Sequence, residues 1–268
     1  NDSTFGIAPK NKTIMEYLEL LDISWNGRDA STIGLKDLHR TGYFIANFEG
    51  GKLIFDTAPV GPDYIPGHGH ADTLSLEFSL GKERVFVNSG ISTYINTSRR
   101  AYQRGTSSHN TIEINDTNSS QTWASFRVAK RARIINRKAT YQTHNHKDHK
   151  FKLLGEHNGY GSLLKPCIHK RSIQIYNNKA SIVDEIIGCK YPARGHMFFH
   201  PELDIEASDD HVLVSGKRFK LKLQTDDKNS RVAASEWYPS FNVIIPNKVL
   251  IFEFVSNKHK IDISWEGF

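Results

Sequence analysis

The sequence is poor in the signals from which a function is most readily read. It holds only two cysteines, Cys167 and Cys189, which could pair or remain buried thiols; two are too few to establish a redox compartment. No apolar run approaches the length needed to cross a membrane as a helix, so no membrane span is expected. A basic stretch leading into an apolar one, the mark of a secretory leader, is missing, and the chain opens on Asn1 instead of a methionine; a processed or excised piece is expected. There is no phosphate-cradling glycine loop and no nucleophile elbow, which argues against nucleotide chemistry and serine hydrolysis. Helix-turn-helix and zinc-finger spacings are missing too, and with them the usual DNA readers.

What the chain has is positive charge and histidine. Lys and Arg number 35 against 29 Asp and Glu, a net +6, which favours an acidic partner: nucleic acid, an anionic polysaccharide or a phospholipid surface. The 13 histidines call for a reading cluster by cluster. Helical spacing is convincing once, at Ile14, Leu18 and Leu21, behind a capping box Thr13-Ile14-Met15-Glu16, and it stops near Asp22 to Asn26. From Tyr43 onward short alternating runs follow one another, divided by Gly, Asn, Asp and Pro turns. They include 42–48, 53–55, 74–80, 84–87, 111–114, 126–135, 173–176, 180–187, 211–214, 219–223, 243–245, 249–255 and 260–264. The expected fold is all-β, stacked antiparallel sheets with a short N-terminal helix. Residues 1–40 read as a helical remnant or linker and 41–268 as one β domain.

The chain is organised around Gly67-His68-Gly69-His70-Ala71-Asp72, which runs into the strictly alternating Thr73 to Leu80. If the extended backbone reaches back to residue 68, His68 and His70 project to one side, between glycines that let a large ligand approach. Val87-Asn88-Ser89-Gly90 ends a buried-looking strand in an amide, and His109 enters the next. His70, Asn88 and His109 could therefore converge as a zinc shell, although asparagine is a poorer ligand than a carboxylate. The rival reading has His109 and Asn110 merely tying a turn by hydrogen bonds.

Beside these lie Arg99, Arg100 and Arg104 with Tyr94 and Tyr102, a basic and aromatic loop. Arginine forks grip carboxylate and sulfate, and tyrosine stacks on sugar faces or moves protons, so Arg104, Arg100 and Tyr102 are substrate-binding candidates. A solvated loop with snorkelling side chains has the same composition. Arg127, Arg131 and Arg133 alternate along the stretch from Phe126; this is read as the polar face of an exposed strand, not as a nucleic-acid stripe. His144-Asn145-His146-Lys147-Asp148-His149 has no apolar scaffold and reads as a hairpin tip. The remaining histidines, His157 and His169 among them, read as structural.

Taken in order, several blocks resemble a known family. They are Gly42-Tyr43-Phe44, Phe55-Asp56, Gly67 to Ser75, Val87 to Gly90, Arg104 to Thr111, His157-Asn158-Gly159-Tyr160 and His169-Lys170-Arg171. Together, from about residue 40 to about 245, they resemble the C-terminal β domain of the heparinase II/III-like polysaccharide lyases. The resemblance implies a super-sandwich of antiparallel sheets behind a helical toroid, and β-elimination at a uronic acid: the carboxylate is neutralised, the C5 proton removed and the C4 oxygen released. It implies that His68 is catalytic, as base or charge stabiliser, and that His70 and His109 hold a largely structural metal. Asn88 stands where relatives commonly carry an aspartate, which removes the only charged ligand.

The resemblance further implies an acidic polysaccharide as partner and a periplasmic or secreted location. Relatives take a tyrosine acid/base from the toroid, and the one helix of residues 1–40 cannot make one, so an N-terminal toroid is an expected partner. A non-catalytic carbohydrate-binding or assembly module, lacking that helical half, is the alternative; nucleic-acid binding ranks last.

Overall fold

In a computed structural model, residues 8–25, 32–144 and 148–267 are described. Helix α1 (Asn11–Leu20) precedes β1 (Gly34–Leu38), β2 (Tyr43–Phe48), β3 (Gly51–Asp56), β4 (Leu76–Leu80) and β5 (Glu83–Phe86), a five-stranded meander in that order. Helix α2 (Ser98–Arg104) leads to β6 (Ile112–Ile114) and the small pair β7 (Thr122–Trp123) and β8 (Arg127–Val128). Four long strands follow: β9 (Ile134–His144), β10 (Asp148–Tyr160), β11 (Cys167–Tyr176) and β12 (Lys179–Ile187). The rest are β13 (Ala193–Phe198), β14 (Asp204–Ala207), β15 (Val212–Ser215), β16 (Lys220–Thr225), β17 (Arg231–Trp237), β18 (Ile245–Glu253) and β19 (Lys258–Glu266). They form an eight-stranded sheet, β14-β15-β16-β19-β12-β11-β10-β9, and a four-stranded one, β17-β18-β13-β6. The architecture is the all-β stack of antiparallel sheets that the alternation predicts.

The core lies between the meander and the eight-stranded sheet. Leu76, Phe78 and Leu80 of β4 are buried while Glu77 and Ser79 between them are half-buried, as a one-sided strand requires. Trp265 of β19 packs against Phe48 and Phe78 across the layers, with ring centroids 5.5 Å apart in each case. The layers meet closely at Gly155 of β10, where a Cβ would lie 2.4 Å from Leu74 Cδ2. A larger residue there would have to displace the Leu74 side chain. Cys167 and Cys189 form a disulfide, closing the hairpin of β11 and β12 at its open end. A loop of that length is worth about 3 kcal/mol on the chain-entropy account.

Two expectations change, and one strand is new. Helix α1 begins at Asn11, so Thr13 lies inside it and no capping box opens it; none of its residues is buried. The run 126–135 is not one strand. Ala129 and Ala132 donate instead to the Gln121 carbonyl and Ser120 Oγ, so Arg127, Arg131 and Arg133 share no strand face, and Arg131 closes on Asp63 at 2.6 Å. Strand β13, with Arg194, Gly195 and His196, has little strand propensity of its own and is held by β6 and β18 on either side. Asn145 to Lys147, the centre of the expected hairpin tip, lie outside the described residues.

One polar chain crosses the core. The Gly159 amide donates to His157 Nδ1, His157 Nε2 lies 3.2 Å from His169 Nδ1, and His169 Nε2 lies 2.7 Å from Asp184 Oδ1. Burial, aided by neighbouring positive charge, holds both imidazoles below the ordinary histidine range. Burial alone would raise Asp184, but the Arg171 charge and the His169 bond hold it below the ordinary carboxylate range. The unfolded chain takes up protons on these histidines below about pH 6.5, whereas the folded chain refuses them, so their contribution is full above that pH and is lost as pH falls. His157→Gln removes one such proton. Its urea-denaturation free energy should fall less steeply than wild type between about pH 7 and about pH 5, by up to about 1.4 kcal/mol per pH unit; equal slopes would show that His157 titrates alike folded and unfolded.

Candidate active site

The long connection from β3 to β4 carries both histidines of the Gly-His-Gly-His segment, but not as an extended strand. Pro66–His68 is a single 3-10 turn closed by the Gly69 amide on the Pro66 carbonyl. Proline suits the first position of such a turn because its φ is already set. The strand begins only at Leu76, after Leu74 at φ 65. His68 and His70 therefore do not share a face of a sheet. His68 is exposed, with ring centroids 5.8 Å from Tyr94 and 5.4 Å from Phe126, and Tyr94 in turn meets Phe241 at 4.8 Å. His70 is buried and turns toward His109, at 5.3 Å between rings.

The segment after Gly69 is pinned from beneath by α2. Thr97 caps that helix through the Arg100 amide, and the turn points Arg100, Gln103 and Arg104 inward. Arg104, 1% exposed, donates to the carbonyls of Gly67, Gly69, Trp123 and Ala124. Arg100, 0% exposed, donates to the Ser125 carbonyl and lies over the rings of Tyr94 and Phe126. The Ala71 amide bonds the Arg104 carbonyl and Thr106 Oγ1 bonds the Ala71 carbonyl. The expected basic loop is thus a helix. Arg100 and Arg104, candidates for substrate binding, spend their forks on buried carbonyls and do not reach the surface. Tyr102, on the opposite face of α2, is exposed and lines an open cleft of about 490 Å³ with Arg99, Glu236 and Tyr238. Burial, with the Glu236 charge, raises its phenol while a Ser235 bond opposes.

Asn88 and His109 do come together: Asn88 Nδ2 is 3.3 Å from His109 Nδ1, and the Asn88 oxygen accepts the Gly90 amide at 2.9 Å. Gly90 follows at φ 79, where a Cβ would strike the Tyr238 carbonyl at 2.1 Å. Burial, then the nearby His70, holds His109 well below the ordinary range. Asp72 is buried as well, and burial pushes its carboxyl up to about 6. His109 Nε2 is buried with no hydrogen-bond partner, and the two imidazoles fit the donor set of a zinc ion. Asn88 is the weak member, because its oxygen is engaged by Gly90 and its NH2 faces His109. Among the described residues no three His, Cys, Asp or Glu side chains gather in reach of one metal. Asn110 ties distant segments together rather than a local turn: its Nδ2 donates to the Leu76 and Val87 carbonyls, and its Oδ1 accepts the Phe198 amide. Sequence reasoning missed the packing of Phe126 and Phe241 around Tyr94 and the inward turn of α2, since neither leaves a spacing signal.

The same stack of antiparallel sheets is found in part of several larger proteins of known structure. Heparinase III, the BT4657 gene product with methylated lysines, superposes with TM-score 0.72 and 18% identity over 100% of this chain and 42% of that one. Heparan sulfate lyase HepC from Pedobacter heparinus gives TM-score 0.71 and 13% identity over 96% and 41%. Another heparinase III structure gives 0.70 and 15% over 96% and 42%. The chain spans about two fifths of those chains, and identities this low establish a shared fold. A family model described as "Heparinase II/III-like, C-terminal" matches residues 30–266, so the chain belongs to the heparinase II/III-like C-terminal family. No curated protein matches it in sequence.

Arg104→Ala would leave four carbonyls around the histidine loop without their donor. It should destabilise the fold by about 3 kcal/mol in urea denaturation. A loss below about 0.5 kcal/mol would show that water replaces the guanidinium.

Proposed function

We propose that this chain is the β-sheet portion of a polysaccharide lyase that cleaves a uronic-acid-containing glycan by β-elimination. The observation that carries this reading is the placement of His68: exposed, seated on an aromatic wall, and fixed on a loop that Arg104 holds from within. An exposed imidazole can take a proton from carbon C5 or offer N–H to the uronate carboxylate as charge develops there. Tyr102, with Arg99 beside it, is the side chain on α2 that can meet a sugar. Arg100 and Arg104 are assigned to holding the loop.

Membership of the family and the shared fold support a polysaccharide substrate, and the net +6 charge agrees with an acidic one. The short coverage of the matched structures supports a further helical domain completing the site in the whole protein. The Cys167–Cys189 disulfide favours an oxidising compartment, the periplasm or the exterior. A structural zinc is assigned to His70 and His109, with Asn88 adjoining. Such an ion would supply fixed positive charge and tie the two loops together.

His68→Ala in the full-length parent should lower turnover of heparan sulfate, hyaluronan or alginate, read as new ultraviolet absorbance of the unsaturated uronate, by roughly 100-fold or more. The melting curve should be unchanged. Wild-type rates in that variant would remove His68 from the chemistry, and binding of these glycans with no cleavage by the parent would favour the carbohydrate-binding module. Asn88→Asp lets one carboxylate oxygen keep the Gly90 amide while the other faces His109. It should tighten zinc binding in calorimetry by about tenfold or more, the added charged ligand being the cause. No gain would place Asn88 outside any metal shell.

A further inference from the structure

The buried chain of His157, His169 and Asp184 does not end at the carboxylate. Asp184 of β12 stands opposite Arg171 of β11 in register, and both are fully buried. Arg171 Nε donates to Asp184 Oδ1 at 2.7 Å and Nη2 to Oδ2 at 2.9 Å, a two-pronged pair. The remaining nitrogen, Nη1, leaves the eight-stranded sheet and donates to two main-chain carbonyls, those of Leu74 and Asn110. Leu74 closes the segment that carries His70, and Asn110 follows His109. One nitrogen grips both histidine segments.

The His70 segment depends on outside support. Leu74 is a non-glycine residue at φ 65, a conformation that costs about 1 kcal/mol or more and persists only where its surroundings hold it. The donors run one way along the chain: Gly159 N–H to His157 Nδ1, then the His157 Nε2 proton to His169 Nδ1, then the His169 Nε2 proton to Asp184. That order fixes both tautomers and leaves Asp184 with a single orientation, so the fork of Arg171 has a single orientation as well.

We propose that Arg171, oriented by Asp184, is the positioning residue that sets the spacing of the His70 and His109 segments from behind the site. The inference rests on the proposed function only for its consequence in catalysis. Lysine keeps the charge but has no fork and cannot bridge Asp184 and two carbonyls at once.

The test is amide hydrogen exchange, read residue by residue, in this chain and its variants Arg171→Lys and Asp184→Asn. Asp184→Asn keeps the side-chain shape and serves if the lysine variant fails to fold. Lys170→Gln is the control, since it removes only the half-exposed Lys170–Glu185 pair of the same two strands. In either test variant the amides of Ala71, Leu74, Thr111 and Phe198 should exchange about tenfold faster or more, while Ile173 and Ile182 keep their protection. The control should leave all six unchanged. Equal loss at all six would make Arg171 ordinary core glue and overturn the proposal; so would unchanged exchange at the first four. In the full-length parent the same variants should lower kcat with KM little moved. A parent without lyase activity would sink the proposed function yet leave the exchange result to decide the positioning role.

Discussion

A guanidinium cannot be buried unless its N–H groups find oxygen, and much of this site is arranged to meet that demand. Arg100, Arg104 and Arg171 are each 1% exposed or less. Between them they donate to carbonyls of Gly67, Gly69, Leu74, Asn110, Ala124 and Ser125 in loops, and of Trp123 in the two-residue strand β7. In a sheet, backbone groups satisfy one another; in the long connection between β3 and β4 they cannot, and arginine forks stand in for the missing strand partners. The cost of desolvating three cations is offset by carbonyl dipoles, by one carboxylate and by the faces of Tyr94 and Phe126.

The result is a division of labour between two histidines only two residues apart. The 3-10 turn ends at His68 and leaves its ring in solvent against aromatic edges. Gly69 then redirects the chain, and His70 enters a closed space with His109. Burial holds His109, the ring that His70 meets there, well below the ordinary histidine range, which suits it to be a ligand or a hydrogen-bond acceptor, whereas His68 presents its ring at the surface. Asn88 brings no charge to the inner space; its oxygen secures the turn at Gly90.

The eight-stranded sheet serves this end of the molecule as a rigid floor. Its inner face is apolar through Ile173, Ile175, Ile182, Ile261 and Ile263, and polar where His169, Arg171 and Asp184 continue the same alternation. Apolar packing secures the layers, while the polar end transmits a fixed geometry into the loops above it. A planar fork does this better than methylene contacts because its hydrogen bonds are directional.

The sequence by itself determined the class of fold and the one N-terminal helix, because alternation and helical spacing are local or nearly local properties. Alternation also marked β4, β12 and β19, where one face is buried against a neighbouring layer. It could not reveal β13, whose residues are strand only because β6 and β18 flank them, nor the break at 129–133, where hydrogen bonds to Gln121 and Ser120 outcompete the ladder. Tertiary structure alone decided that Arg100 and Arg104 face inward, that His68 and His70 part company, and that Arg171 spans two layers to reach residues 61 and 97 positions away in sequence. The physical reason is that side-chain direction in a loop, and the partner of a buried charge, depend on carbonyls brought near by chain folding, and no spacing along the sequence encodes them.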